Sequence, residues 1–159
     1  MILALKRIFN KIVDWFCISA IVLMLLITFY QVVARYIFSN PSSWSEEVAR
    51  YISVWAIFLG AAIAFRSRAH LGVDYFVTLF SKRIQTVIGV VTNIVLLATL
   101  VFIFKQGIEI TLFVKNQLSP AMRISMAIPY AAIPTGVLLM FIELVWDFFI
   151  RESIEAREA

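Results

Sequence analysis

Cysteine and histidine are almost absent from this chain: one of each, Cys17 and His70, in 159 residues. One cysteine closes no internal disulfide and builds no cysteine-rich metal site, so Cys17, inside an apolar run, reads as a small hydrophobe in a helix. One histidine cannot supply both axial ligands of a membrane haem. A thiol-redox enzyme needs a cysteine pair, and neither a metalloprotease nor a Ser-His hydrolase motif occurs. No catalytic residue, cofactor or metal is therefore expected. Charge is also scarce. Lys, Arg, Asp and Glu make up 15 % of the residues, while 62 % are hydrophobic. A soluble domain of this length could not hide that much apolar surface. No internal repeat, low-complexity tract or Gly/Ser linker divides the chain, and a single domain over 1–159 is expected.

What is present is a set of long apolar runs separated by short charged clusters, the pattern of a polytopic membrane protein. The fold class expected is all-α integral membrane, with four transmembrane helices. The spans fall at about 12–35, 44–65, 84–107 and 124–148, each long enough as helix to cross ~30 Å of hydrocarbon. Basic residues precede the first run, as in a signal peptide. That run is too long for a signal core and no small-x-small cleavage site follows, so it reads as a retained span. With four spans, Lys6, Arg7, Lys11, Arg66, Arg68, Lys82, Arg83, Arg151 and Arg157 share one side. Arg35, Arg50, Lys105, Lys115 and Arg123 share the other. The positive-inside rule then places both termini in the cytoplasm.

The loops carry further pattern. In GVDYFVTLFSKR, Val73, Phe76, Val77 and Phe80 recur at helical spacing, which predicts a short amphipathic helix over about 72–82 in the cytoplasmic-side interface. KQGIEITLFVKNQL extends the third helix outward until Ser119-Pro120 breaks it. Pro129 and Pro134 kink the fourth span or delay its regular start. The central thirds of the spans hold no Asp, Glu, Lys, Arg or His, which counts against a small homodimeric exporter. Asn93 is the most deeply placed strongly polar side chain, and an interhelical hydrogen bond is favoured over a transport role. His70 and Asp74 share a helical face. A contact orienting the amphipathic helix is favoured over a proton relay. Glu143, Asp147 and Arg151 also share a face: Asp147 pairs with Arg151, and Glu143 takes a basic partner such as Lys11.

The stretch SSWSEEVARY reads as a helix entrance. Ser43 is the expected N-cap and Glu46 the third helical residue of a capping box. Glu46 and Glu47 sit four and three residues before Arg50, so both are placed to pair with it. Trp44, Tyr51 and Trp55 are interface anchors. Two acids facing one arginine leave one acid in excess, which is expected to face a partner. Ala56, Gly60 and Ala64 make a small-residue stripe in the second span, and Ala132 and Gly136 make one in the fourth, both suited to close helix approach. Four helices cover only part of the remaining Phe, Leu, Ile and Val surface. The rest meets membrane lipid or a larger membrane partner. No nucleic-acid partner is expected.

Three blocks in order carry a resemblance. QVVARYIFSNPSSWSEEVARY holds Gln31, Arg35, Tyr36, Phe38, Trp44, Glu46, Glu47, Arg50 and Tyr51. FLGAAIAFRSRAHLGVD holds Gly60, Ala61, Arg66, His70 and Asp74. SPAMRISMAIPYAAIPTG holds Ser119, Pro120, Ala121, Ile128, Pro129, Pro134 and Gly136. With these, nearly the whole chain resembles the small membrane subunit (the Q, or DctQ-like, subunit) of the TRAP transporters, the tripartite ATP-independent periplasmic transporters. The resemblance implies a non-catalytic scaffold in the bacterial cytoplasmic (inner) membrane. Its implied partners are a large multi-span membrane (M) subunit and a periplasmic substrate-binding protein. The implied process is sodium-driven uptake of an organic acid of the sialic acid or C4-dicarboxylate type. On this reading Arg35, Trp44, Glu46, Glu47, Arg50 and Tyr51 form an outer rim near both partners, and Arg66 joins the cytoplasmic structural contacts. The chain ends soon after the fourth span, so the large subunit is expected to be a separate polypeptide. From a different class, a membrane anchor for a redox complex is the other reading kept.

Overall fold

The computed structural model describes residues 2–66 and 81–158, with side chains described for 4–66 and 81–146. The helices are α1 (Ile2–Tyr36), α2 (Ser43–Arg66), α3 (Lys82–Phe113), α4 (Ala127–Tyr130) and α5 (Ala132–Glu158). Among the described residues, four stretches are long and apolar enough to cross a membrane: Ala4–Tyr36, Ser43–Arg66, Lys82–Phe113 and Ala127–Trp146. The protein is an all-α, multi-pass membrane protein. The expected amphipathic helix falls at 72–80, outside the described residues, and its last two expected residues, Ser81 and Lys82, are the N-cap and first residue of α3.

α1 has 35 residues, about 50 Å of helix, so it extends past the hydrocarbon and carries Lys6, Arg7 and Lys11 on the overhang. It ends where Ser39 takes a left-handed φ of 51°. That turn brings the Asn40 amide back to the Ala34 carbonyl at 3.0 Å. Terminal carbonyls that would otherwise lack donors are satisfied this way. α2 begins at Ser43 itself, one residue earlier than the capping box requires. Ser43 makes no capping bond. Instead the Ser45 hydroxyl donates to the Ser42 carbonyl at 2.8 Å.

α3 runs on to Phe113 and stops before Ser119-Pro120. The reason is tertiary rather than the proline. Residues 117–126 fold back on themselves, with Ser119 N–H on the Ile124 carbonyl at 2.8 Å and Met126 N–H on the Gln117 carbonyl at 2.9 Å. Those amides are then unavailable to a helix. The fourth span starts as the short α4, and regular helix begins at Ala132. Pro134 sits in the first turn of α5, where its missing N–H leaves no bond unmade.

The helices lie in a row rather than a closed bundle. α1 packs on α2, α2 on α5, and α5 on α3. The contact surfaces are built from small groups: Cys17, Ala34, Ala56, Ala62, Ala132 and Val137 are buried, while Trp15, Phe29, Ile57, Phe102 and Phe113 are exposed. In lipid there is no hydrophobic drive to bury the large side chains, and close backbone approach supplies the packing instead. Gly136 shows how close. A Cβ there would lie 2.6 Å from Phe58 Cβ and 3.0 Å from the Phe58 carbonyl oxygen. Gly107 does the same for α3 on α5, where a Cβ would meet Ile133 Cγ2 at 2.9 Å.

Candidate functional site

Neighbouring acids at the start of α2 point in different directions, because a helix turns about 100° per residue. Glu46 reaches back across the α1–α2 turn and forms an ion pair with Arg35, half-exposed on both sides. Glu47 turns inward and is 5 % exposed. Its Oε1 accepts the Tyr51 hydroxyl at 2.8 Å. Its Oε2 accepts the backbone N–H groups of Ala121 at 2.7 Å and Met122 at 3.4 Å. The carboxylate thus clasps the tip of the 117–126 loop through main-chain donors that the loop's own fold leaves over.

The clasp continues along one face of α2. Glu47, Tyr51 and Trp55 are four residues apart, which stacks them on one side of a helix. The Tyr51 oxygen also lies 3.2 Å from Met126 Sδ. Trp55 Nε1 donates to the Ile128 carbonyl at 3.1 Å. Within the loop, Ser119 is 1 % exposed and its hydroxyl accepts the Ile124 N–H at 3.3 Å. Arg123 holds a left-handed φ of 58° at the reversal. On the α1 side, Gln31 Nε2 donates to the Ser45 carbonyl at 2.7 Å, and Tyr30 packs on Trp44 with centroids 5.8 Å apart. One end of the protein is thereby tied together from α1, α2 and the loop leading to α5.

The expected pairing of Glu46 and Glu47 with Arg50 does not form. Arg50 is exposed, and among the described residues it joins no ion pair. Both acids are satisfied within the chain, so the acid in excess is accounted for by a loop backbone 74 residues away.

The opposite end carries its own charge contacts. Arg66 pairs with Asp14 at 2.5 Å, tying the end of α2 to α1. Glu143 pairs with Lys6 at 2.8 Å, not with Lys11, which is exposed. One turn and a half of helix separates Lys6 from Lys11, and only Lys6 sits over α5, with its ammonium 4.2 Å from the Trp146 ring centroid. His70 and Asp74 lie outside the described residues, as do the side chains of Asp147 and Arg151.

The packing stripes divide. Ala56 and Gly60 face α1, where Cys17 Sγ lies 3.8 Å from the Ala56 carbonyl, while Ala64 is exposed. Ala132 is fully buried, and Gly136 meets Phe58 rather than the α2 stripe. Asn93 is exposed and makes no hydrogen bond among the described residues, so it does not tie α3 to a helix of this chain. The α1–α3 and α2–α3 contacts that such a bond would need are absent or slight, since α3 packs on α5 and α4. Reasoning from the sequence missed Asp14, Lys6, Gly107 and the loop amides of Ala121 and Met122. Asp14 had a signal: it is the acid just before the first apolar run. The loop amides had none.

Among the described residues no group of three or more His, Cys, Asp or Glu side chains converges as a metal site. What the arrangement does chemically is fix a loop and two helix ends.

Comparison with known proteins gives this frame a family. One putative TRAP transporter small permease protein of Haemophilus influenzae is 29 % identical over 134 residues, 84 % of this chain and 81 % of that protein. A second from the same organism is 34 % identical over 97 residues, 61 % of this chain, and the match spans 60 % of its own length. The isethionate TRAP transporter permease protein DctMQ of Oleidesulfovibrio alaskensis is 26 % identical over 127 residues, 76 % of this chain but 20 % of that much longer protein. Residues 24–153 match the family described as tripartite ATP-independent periplasmic transporters, DctQ component. That match takes in both acids at the start of α2, the clasped loop and most of α5, and the chain belongs to this family of small permease components of TRAP transporters.

Proposed function

We propose that this chain is the non-catalytic scaffold subunit of a TRAP-type secondary transporter. It binds a large multi-span permease subunit side by side in the bacterial inner membrane, with both termini cytoplasmic. The complex takes up an organic acid of the sialic acid or C4-dicarboxylate type, driven by sodium and delivered by a periplasmic binding protein. The observation that carries this reading is the open row of helices. Large apolar side chains remain exposed along α1 and α3, where only 6 % of each span window is buried. A chain of this family with that much uncovered helix surface is built to lie against something larger. The DctMQ relative supports a permease partner, since its name covers a single chain of which the matched part is one-fifth.

The Glu47 clasp then has a definite task. It holds the loop 117–126 against α2 and so shapes the outer rim. Arg35, Trp44, Glu46 and Arg50 present their exposed sides on that rim, available to the large subunit or the binding protein. The cytoplasmic end is braced by Arg66–Asp14 and Lys6–Glu143. Co-expression with the large permease of the same organism tests the reading. A tag on this chain brings down the large subunit in mild detergent at a fixed ratio. Recovery of this chain alone, with the large subunit folded and present in the same membranes, contradicts it.

A further inference from the structure

Several hydroxyls in the exposed spans are satisfied on their own helix, though among the described residues Thr92 beside Asn93 is not. Ser19 and Thr28 on α1 each donate to the carbonyl four residues back, at 2.7 and 2.8 Å. Thr86 and Thr99 on α3 do likewise, at 3.1 and 2.8 Å. A hydroxyl satisfied on its own helix can face lipid at little cost. Asn93 differs. Its amide has two donors and a carbonyl acceptor, more than its own helix backbone can meet. It makes no hydrogen bond among the described residues, and it is exposed. It lies mid-way along the charge-free run from Ile84 to Phe104, about 15 Å of helix from Arg83 and about 18 Å from Lys105. Hydrocarbon offers such a group no partner.

Its direction is also informative. Asn93, Leu100 and Gly107 are spaced by seven, which keeps them within about 40° on one face of a helix. Leu100 and Gly107 are buried, Gly107 against Ile133 and Pro134 of α5. The face that packs on α5 near Gly107 is therefore left open at Asn93, toward the start of α3.

We propose that the face of α3 centred on Asn93 is the surface that docks the large permease subunit, and that the Asn93 amide hydrogen-bonds a polar group of that subunit within the membrane. The inference rests on the scaffold reading above and adds the face. The occupant is polypeptide rather than lipid, because an acyl chain supplies neither donor nor acceptor. It is the large subunit rather than a second copy, because the DctMQ relative joins the matched segment to a longer permease in one chain. α1, whose mid-span hydroxyls Ser19 and Thr28 are already satisfied, is the lipid-facing edge.

The test uses the whole complex in membranes. The photoreactive residue benzoylphenylalanine replaces Asn93, or replaces Leu26 on the exposed face of α1 as comparison. The expected result is a crosslink to the large subunit from position 93 and none from position 26. A crosslink from 26 alone, a crosslink from 93 to a second copy of this chain, or crosslinks from 93 to lipid only each overturn the proposal. In parallel, Asn93→Leu weakens the affinity of the purified subunits by about three- to fifteen-fold, the range of single intramembrane hydrogen bonds, while Asn93→Gln recovers part of it. An unchanged affinity for Asn93→Leu also overturns it. If the unsubstituted subunits form no complex, the scaffold reading itself fails; if they form one that is indifferent to position 93, only the docking face does.

Discussion

Glu46 and Glu47 are adjacent and chemically identical, yet their environments predict different consequences for the same change. Glu47→Gln keeps the side-chain volume but leaves one neutral acceptor oxygen where the carboxylate offered two charged ones, so the bonds to the loop N–H groups lose their charge assistance and the Tyr51 hydroxyl must turn round to accept. The expected result is faster hydrogen exchange at the Ala121 and Met122 amides and easier proteolysis between 117 and 126. Glu46→Gln removes a half-exposed ion pair worth less than about 1 kcal/mol and leaves that loop as it was. Equal loop protection in the two variants would contradict the clasp. At this scale the sequence was readable only in part. Helical spacing puts Arg50 within reach of both acids, and local reasoning stops there. The loop amides that win Glu47 are 74 residues away and become donors only after 117–126 has folded.

Helix contacts make their own predictions. Gly136→Ala puts a methyl group 2.6 Å from Phe58 Cβ and 3.0 Å from a backbone oxygen, so α2 and α5 must separate. The expected cost is about 1–3 kcal/mol, read as a lower unfolding midpoint in detergent. Gly89→Ala meets nothing within 4 Å, and helix propensity makes it neutral to stabilising by up to about 1 kcal/mol. If the two glycines tolerate alanine equally, the close approach at Phe58 is wrong. Glu143→Ala leaves the Lys6 ammonium partly buried with, among the described residues, the Trp146 ring beside it, and it lowers the midpoint more than Lys11→Ala does. The four long helices were legible because apolar runs of that length have one solution in lipid. The direction each helix presents was less so. Small-residue spacing found Ala56, Gly60 and Gly136, but not that Gly60 meets Cys17 while Gly136 meets Phe58. Spacing marks Asn93 as the deepest strongly polar side chain and favours an interhelical hydrogen bond, but it names no partner helix, because the order of helices in the row follows from tertiary contacts that spacing does not encode.

On the scale of the molecule, two charged ends brace a row of four spans whose broad faces are apolar and uncovered. One end is tied by Arg35–Glu46 and the Glu47 clasp, the other by Arg66–Asp14 and Lys6–Glu143. Nothing between them in the described residues resembles an ion or substrate path. The spans hold no acid or base in their middle thirds, and buried volume goes to small packing residues. On the scaffold reading proposed above, such a frame adds stiffness and footprint to a partner in the bilayer, and solute passage is left to that partner. The direct test is uptake into proteoliposomes under an inward sodium gradient, with the periplasmic binding protein and labelled organic acid supplied outside. Vesicles holding this chain alone are expected to take up no more than empty ones, and vesicles holding it with the large subunit to accumulate the acid. Sodium-dependent accumulation by this chain alone would contradict the scaffold account.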